Sequence, residues 1–340
     1  MGMNGFQKYL ILRVLSLIPT IFGVVVITFI LSHVIPGNPA LIVVGPEPNP
    51  AEIKIAEAEM GLNLPIWQQF FVYVSQLAHF NFGYSYILDN PVSYEVGQHF
   101  PATIELALAS LIISVPLAIV SGVYASLRPN KLGDHAVRVL SLLGLSIPVF
   151  FLGTVMILVF YVDLGIFPAP LGQIGTQFTP PIHITGLYIL DSLLTFNFPV
   201  FVNALWHIVL PALALALGGI AALSRVLRSS MLEVLNKDYM RTVFAIGLPR
   251  KIIIRKYAFR NALLPSITVA AVQTGALMSG VVLTETVFSW PGLGLLSFDS
   301  ILMLDYPTIM AVILISGILF ALFNFVADIL YAYIDPRVGL

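Results

Sequence analysis

The chain has no cysteine among its 340 residues. This absence excludes disulfide bonds, thiolate catalysis and metal sites built on cysteine. The six histidines are scattered along the chain and do not repeat at the spacing of zinc ligands, so no metal site is expected. The H-E-x-x-H motif of zinc proteases and the P-loop that holds nucleotide phosphates are also missing. An ATP site, if the function needs one, must lie on another chain.

Charged side chains are also scarce. They make up 10% of the residues, whereas a soluble domain carries about 25%. Apolar residues make up 58%, and the mean hydropathy is +0.95. The formal net charge of −1 gives no reason to expect a nucleic-acid partner. Lipid is therefore the expected surroundings of most of the chain.

Six stretches are long and apolar enough to cross a bilayer, which takes about 20 residues. They are residues 10–35, 102–127, 139–162, 206–223, 263–288 and 308–332. The first exceeds the apolar region of a signal peptide, about 7–15 residues, and no A-x-A cleavage site follows it. We therefore predict an all-α membrane protein with six transmembrane helices, the first of them retained.

The 16 lysines and arginines are distributed unevenly. With six spans, all of them except Lys54 fall on one side, which is a strong positive-inside bias. Both termini are therefore predicted to be cytoplasmic. The predicted layout is an N-terminal span (1–35), an extracytoplasmic loop subdomain (36–101) and a core of five spans (102–340) with a cytoplasmic loop at 224–262.

The 36–101 segment contains a short polar helix at 51–60 and an aromatic-rich stretch at 65–80. Two interpretations of the aromatic stretch remain open. It is either a cap that meets a soluble partner or lies at the membrane interface, or a folded loop that packs on the helix bundle.

The cytoplasmic loop contains the most informative pattern. A short helix is predicted to start near Asp238, whose side chain can cap free N–H groups. Gly247 suits its C-terminal turn, and Pro249 stops it. Residues 251–264 then alternate basic and apolar side chains. Such a segment either rests on anionic lipid headgroups or docks in a groove of a cytosolic partner.

Five ordered segments resemble one family, the permeases of binding-protein-dependent ATP-binding-cassette (ABC) importers, in particular the B-type subunit of the peptide and nickel branch. The loop from Gly247 to Tyr257-Ala-Phe-Arg-Asn-Ala-Leu-Leu-Pro265 is similar to the family's "EAA" loop in sequence and spacing. The other four segments are residues 17–39, Pro101-Ala-Thr-Ile-Glu-Leu106, Glu285-Thr-Val-Phe-Ser-Trp-Pro-Gly-Leu-Gly294 with Asp305-Tyr-Pro307, and Tyr331-Ala-Tyr-Ile-Asp-Pro-Arg337. The likeness covers nearly the whole chain.

The resemblance implies a type I ABC importer (MetI-like) permease fold in a prokaryotic cell membrane. The implied partners are a second, C-type permease, two ATP-binding-cassette subunits that carry ATP and Mg, and an extracytoplasmic substrate-binding protein. The 224–262 loop would be the coupling loop, with ATPase contacts at Tyr239, Arg241, Thr242, Ala245 and Gly247.

Two positions depart from the family pattern. Ile246 replaces a basic residue and Val243 a small one, so a more apolar docking surface is expected.

Polar residues inside the spans are candidates for the translocation path, because they are costly in lipid. Gln273, Gly280 and Thr284 recur at i, i+7 and i+11 of the fifth span and would share one helical face. That face either lines the path or packs against another helix. Glu105 and Glu285 are expected to form gate or packing contacts, and Asp328 to neutralise a cytoplasmic arginine.

The expected function is a transport subunit for di- or oligopeptides, with nickel or oligosaccharides as alternative substrates. An intramembrane enzyme built on Ser146 and His207 is a distant alternative, and Ser146 lacks the small residue that rhomboid-like proteases place after the serine. An ion-coupled carrier is another, although carriers more often place charges deep in their spans. No catalytic residue is therefore assigned.

Overall fold

The computed structural model describes residues 5–34, 44, 49–59, 61–279 and 281–334. Thirteen helices and one short hairpin account for most of them. The helices are α1 (Gly5–Val34), α2 (Pro50–Glu59), α3 (Ile66–Ala78), α4 (Val92–Leu127), α5 (Leu132–Ser146), α6 (Val149–Met156, continued by π-helical turns Ile157–Asp163), α7 (Tyr188–Leu194), α8 (Phe198–Leu235), α9 (Asp238–Ala245), α10 (Arg250–Met278), α11 (Val282–Val287), α12 (Leu293–Met303) and α13 (Tyr306–Ile334). The hairpin pairs β1 (Tyr84–Ser85) with β2 (Asn90–Pro91) in antiparallel register, Tyr84 opposite Pro91.

Five helices are long and apolar enough to span a membrane: α1, α4, α8, α10 and α13. A sixth crossing exists only if α5 and α6 are taken together, because the chain bends by 104° between them. The predicted span at 139–162 therefore corresponds to a bent pair of helices that breaks next to Pro148. Proline disfavours helical backbone at the residue before it, and Ile147, which precedes Pro148, is extended with φ −84° and ψ 125°.

The helices also extend beyond the predicted spans. α4 begins ten residues before 102, so it continues through the predicted boundary of the 36–101 segment. α8 continues to Leu235 and α10 begins at Arg250, which leaves α9 and two short connections between them. The 224–262 segment is therefore largely helical rather than a loop. Hydropathy marks only the lipid-crossing part of a helix, which explains the difference.

α8 is the central helix and contacts α4, α5, α6, α7 and α10. Small buried residues let it approach its neighbours closely, as membrane helices do. At Gly122 of α4, an added Cβ would lie 2.9 Å from the Ser224 carbonyl oxygen, so only glycine fits this crossing. A buried cluster between α4, α8 and α10 includes Leu106, Ile208 and Leu277.

Cross-links between distant segments define two ends of the bundle. At one end, Arg228 of α8 pairs with Asp134 of α5, and Arg13 of α1 pairs with Asp328 of α13 at 3.0 Å. The expected neutralisation of an arginine by Asp328 is confirmed. At the other end, Ser85 of the hairpin donates a hydrogen bond of 2.6 Å to Asp305, just before α13.

The irregular segment before α7 is fixed by two buried carboxylates. Asp191 accepts hydrogen bonds from the backbone N–H groups of Ile184, Thr185 and Gly186 and from the Thr185 hydroxyl, at 2.6–3.1 Å. Glu105 of α4 accepts from the Gln173 side chain and the Ile189 N–H. The packing role expected for Glu105 is thus the one the structure has.

Asp191 gives a pH prediction. Burial alone raises its pKa, but the hydrogen bonds from Thr185, Ile184 and Gly186 outweigh burial, so the net pKa lies below the usual value. A carboxylate whose pKa is lower in the folded state stabilises that state above its unfolded pKa, about 4, and loses this contribution as the pH falls towards the folded pKa. Asp191→Asn should cost about 1.5–3 kcal/mol at pH 7 and weaken the acid dependence below pH 4.

The measurement is the thermal unfolding midpoint in detergent from pH 7 to pH 3. Asp163→Asn, at an exposed carboxylate, is the matched control and should leave the midpoint nearly unchanged. Parallel acid profiles for Asp191→Asn and the wild type would contradict the prediction.

Candidate functional site

α9 is a short helix held between the ends of two long ones. Its buried side chains are Met240 and Val243, which pack on a cluster with Leu227 and Met231 of α8 and Ile253 of α10. The spacing of three residues places both on one face. α9 is therefore attached to both flanking helices by its apolar side, and its other side faces outwards.

The caps of α9 differ in part from the prediction. The helix begins at Asp238, but the capping position is Lys237, and Asp238 makes no side-chain cap. Its carboxylate in the first turn still favours the positive end of the helix dipole. Gly247 has φ +75°, the left-handed conformation expected at the C-terminal turn. Pro249 then precedes α10.

All five predicted ATPase-contact residues are exposed on α9 or in the turn that follows it. Tyr239, Arg241, Thr242, Ala245 and Gly247 are each exposed. Arg241 lies 3.7 Å from Asp238 in a fully solvated pair, which is worth little energy and can be exchanged for another carboxylate. The Tyr239 hydroxyl accepts a hydrogen bond of 3.3 Å from Asn261 of α10. The exposed side chains of α9 and the turn after it therefore form a surface that can bind a partner protein.

The two departures from the family pattern have different outcomes. Ile246 is 67% exposed and adds apolar surface, whereas Val243 is buried and does not. The expectation of a more apolar surface is therefore wrong for Val243. Phe244, at 45% exposed, belongs to the outward surface and was missed by motif comparison. Helical spacing did not signal it, because Phe244 follows Met240 by four residues and only the structure shows it exposed.

A cavity of about 560 Å³ opens between α8 and α10. Its walls are mainly apolar, with Thr268 and Gln273 as the polar contributors besides backbone. The Gln273 side chain lies across Gly219 of α8, where any added Cβ would overlap its amide. This cavity is the part of the described structure where a predicted path residue meets open space.

The three predicted path residues do not form one continuous helical face. α10 ends at Met278, and Thr284 lies in the separate helix α11, where it is buried and its hydroxyl has no hydrogen-bond partner in the described structure. The premise of a single helix from 263 to 288 was wrong. Gly280 lies outside the described residues. The path role of Gln273 stays a prediction.

Gly219 offers a test of that role. Gly219→Ala should displace the Gln273 amide, and Gln273→Leu should remove it. If this amide binds the passing substrate, losing one hydrogen bond of about 1–1.5 kcal/mol lowers uptake by roughly tenfold in both variants, with assembly unchanged. Gly218→Ala is the matched control, since its Cβ would have no neighbour nearer than 4.0 Å. If assembly falls with uptake, Gln273 is a packing residue.

The residues of the enzyme alternative are engaged with their own helices. The Ser146 hydroxyl donates to the Leu142 carbonyl at 2.8 Å, and His207 Nδ1 lies 2.8 Å from the Asn203 carbonyl oxygen. Within the described ranges, no group of three or more His, Asp or Glu side chains could hold a metal ion.

Comparison with known proteins gives two family matches that together cover the chain. Residues 98–340 match the model described as "Binding-protein-dependent transport system inner membrane component". Residues 6–107 match the model of the N-terminal part of such membrane components.

Full-length relatives agree. The chain is 43% identical to the probable D,D-dipeptide transport system permease of Escherichia coli K12, over 98% of both chains. It is 40% identical to the di/tripeptide transport permease of Pseudomonas aeruginosa, over 95% of this chain and 96% of the relative. Identity to the dipeptide transport permease of Alkalihalophilus pseudofirmus is 38%, over 97% and 98%.

These matches describe a transport subunit of a bacterial inner membrane that depends on a binding protein. They confirm the predicted permease fold, the multi-pass membrane location and the assignment to transport rather than catalysis. The chain belongs to the family of binding-protein-dependent transport system inner membrane components.

Proposed function

We propose that this chain is one of two permease subunits of an ATP-driven importer and that it carries di- or oligopeptides. The observation that carries the proposal is full-length similarity, at 38–43% identity, to proteins named for dipeptide or di/tripeptide transport. The mainly apolar cavity beside Gln273 suits a substrate with varied side chains and a polar backbone.

The proposed partners are those that the family resemblance implies, and the exposed side of α9 offers two of them a surface. Two ATP-binding-cassette subunits, which hold ATP and Mg, bind α9 of this chain and its counterpart on a second permease. A substrate-binding protein delivers peptide at the opposite end. The basic residues lie near α9, the start of α5 and the start of α1, and they support a cytoplasmic position for the end that carries α9 and for both termini.

The contacts of α9 give a mechanism for coupling. Met240 and Val243 are packed among side chains of α8 and α10, so a displacement of α9 by the ATPases is transmitted to both helices. The same two helices form the walls of the Gln273 cavity. Movement of α9 therefore changes the width of the cavity, which is the step that alternating access requires.

Gly247→Trp tests this coupling. An added Cβ at Gly247 meets nothing within 4 Å, so the indole would project away from the chain and obstruct a docked partner, and any side chain here also strains the left-handed backbone at φ +75°. We expect normal membrane insertion, weaker co-purification of the ATPase subunits and peptide uptake reduced roughly tenfold or more, a loss of at least about 1.4 kcal/mol of coupling. Uptake of a labelled dipeptide by cells is the measurement.

Gly247→Ala is the matched control, because it places a β-carbon on the same left-handed backbone without the bulk of the indole. It should retain most of the uptake. Wild-type uptake by Gly247→Trp would contradict docking at α9.

Competition with unlabelled di- and tripeptides, Ni²⁺ and an oligosaccharide tests the substrate separately. Peptides alone should compete with the labelled dipeptide, and competition by Ni²⁺ or sugar alone would overturn the peptide assignment.

A further inference from the structure

α3 is an uncharged helix in the segment that joins the first two spans. Its 13 residues, IWQQFFVYVSQLA, contain no Asp, Glu, Lys or Arg, and none of its side chains is buried in the chain. By contrast, α2 just before it carries Glu52, Lys54, Glu57 and Glu59. The two neighbouring helices are therefore suited to different surroundings.

One side of α3 rests on the first span through aromatic rings. The Phe70 ring lies 6.1 Å from that of Phe22 and 5.2 Å from that of Phe29, and the Tyr73 ring lies 5.7 Å from Phe29. Phe22 is near the middle of the candidate span Leu10–Ser32. It is about 10 Å along the helix axis from Phe29. The contacts therefore place Phe70 beside the apolar part of the span.

Several apolar side chains of α3 are left uncovered beside this contact. Ile66, Trp67, Phe71 and Val72 are all exposed, Phe71 by 65%. This surface is continuous with the lipid-facing side of the first span, where Phe22 is itself more than half exposed. Towards the C-terminal end of α3 the exposed positions become polar, with Ser75, Gln76 and His79. An uncharged helix that exposes both apolar and polar side chains is typical of one that lies at the membrane interface.

The turn before α3 is satisfied internally. The Gln69 side-chain amide donates to the carbonyl oxygens of Leu62 and Leu64, at 3.1 and 2.8 Å. Irregular backbone is tolerated next to lipid only when its polar groups are paired. The carbonyl oxygens of Leu62 and Leu64 therefore do not need water as a hydrogen-bond donor, and the turn can lie next to lipid.

We propose that α3 is an interfacial membrane anchor whose exposed apolar side chains, Ile66, Trp67, Phe71 and Val72, are covered by phospholipid acyl chains. The charged helix α2 remains in water. The anchor holds the 36–101 segment against the first span, at the end of the bundle opposite α9. The inference does not depend on which substrate is carried.

The absence of cysteine in this chain makes a spin-label test direct. A nitroxide is attached to Phe71→Cys in the full chain, assembled with cysteine-free partners in phosphatidylcholine and phosphatidylglycerol vesicles. Collision rates with O₂, which concentrates in lipid, and with a water-soluble nickel chelate are then measured. Ile112→Cys on the exposed side of α4 is the lipid control, and Ile55→Cys on α2 is the water control.

The proposal expects Phe71→Cys to resemble Ile112→Cys, with O₂ collisions several-fold more frequent than nickel collisions. A nickel-accessible label, as at Ile55→Cys, would show that this side faces water and would overturn the proposal. Low collision rates with both reagents would show that protein covers it, and would also overturn it. Repeating the measurement with the binding protein added should leave the Phe71→Cys values unchanged, and a fall in O₂ collisions would assign the surface to that protein.

Discussion

Replacing Asp134 with alanine should destabilise the folded chain by about 3–5 kcal/mol, the cost of leaving a buried charge without its partner. The carboxylate is fully buried, and both its oxygens accept from the Arg228 guanidinium of α8, one of them from Nη2 at 2.7 Å. It also accepts from the Asn130 N–H at 2.9 Å, in the turn that joins α4 to α5. Asp134 thus ties α5 to α8 and to the turn after α4.

The reason for the large effect is the arginine that remains. Arg228 is only 18% exposed, and in Asp134→Ala its charge would have no ionic partner in the described part of the chain. Replacing both members with apolar residues is often nearly neutral. The double variant Asp134→Ala with Arg228→Met should therefore recover more than half of the lost stability.

Unfolding in detergent by a denaturing surfactant, read from the loss of the monodisperse species, provides the measurement. Glu233→Ala is the control: this exposed glutamate pairs with Lys237 at 3.2 Å, and its loss should cost less than about 0.5 kcal/mol. If Asp134→Ala and Glu233→Ala were equally stable, the ion pair would not hold the helices together.

Local patterns of the sequence predict much of the architecture. Apolar stretches gave the positions of five long helices and of the bent pair α5 and α6. The positions of glycine and proline predicted the end of α9, because Gly247 adopts the left-handed backbone that a residue after this helix requires. The break between α5 and α6 could also be predicted at Ile147-Pro148, because a residue before proline disfavours helical backbone. Hydropathy alone treats the two helices as one span.

The contacts between distant helices could not be predicted, because no local sequence pattern contains them. Asp134 and Arg228 are 94 positions apart, and neither stands out among the polar residues of its helix. The fit of Gln273 over Gly219 joins two helices in the same way. The motif around Glu285 was visible as a resemblance, but the reason for its residues was not, because Thr103, which donates to Glu285, lies 182 positions earlier.

Glu285→Ala is expected to have a comparably large effect at the opposite end of the molecule. Helix α12 begins after Gly292 without any side-chain cap of its own. Glu285 supplies it from α11, since its Oε2 accepts from the N–H groups of Gly294 at 2.7 Å and Leu295 at 3.1 Å. Its other oxygen accepts from the Thr103 hydroxyl of α4 at 2.9 Å. Three elements therefore meet at one buried carboxylate.

The glycines of this motif are explained by the same carboxylate. A Cβ at Gly292 would overlap Glu285, and one at Gly294 would lie 2.7 Å from the Val282 Cα. Trp290 completes the junction by donating from Nε1 to the Ala102 carbonyl at 2.8 Å. The packing role expected for Glu285 is therefore the observed one, and it is a capping role in particular.

Removing the carboxylate leaves the buried N–H of Gly294, the partly buried N–H of Leu295 and the Thr103 hydroxyl without their acceptor. Each unsatisfied buried group costs about 1–3 kcal/mol, so a loss of about 3–5 kcal/mol is expected for Glu285→Ala after partial relaxation. Glu285→Gln keeps the shape and one acceptor oxygen, and should lose about half as much. Asp299→Ala, at an exposed carboxylate on the same helix, is the control and should be neutral.

Thr103→Val provides the decisive comparison, because Thr103 both donates to Glu285 and accepts from the Leu293 N–H at 2.8 Å. If the two side chains act as one cap, the double variant should lose less stability than the sum of the single losses. Additive losses would mean that each acts independently. A Glu285→Ala protein as stable as the wild type would show that α12 needs no cap from α11, and the close approach of Gly292 and Gly294 to this carboxylate would then be a consequence of packing alone.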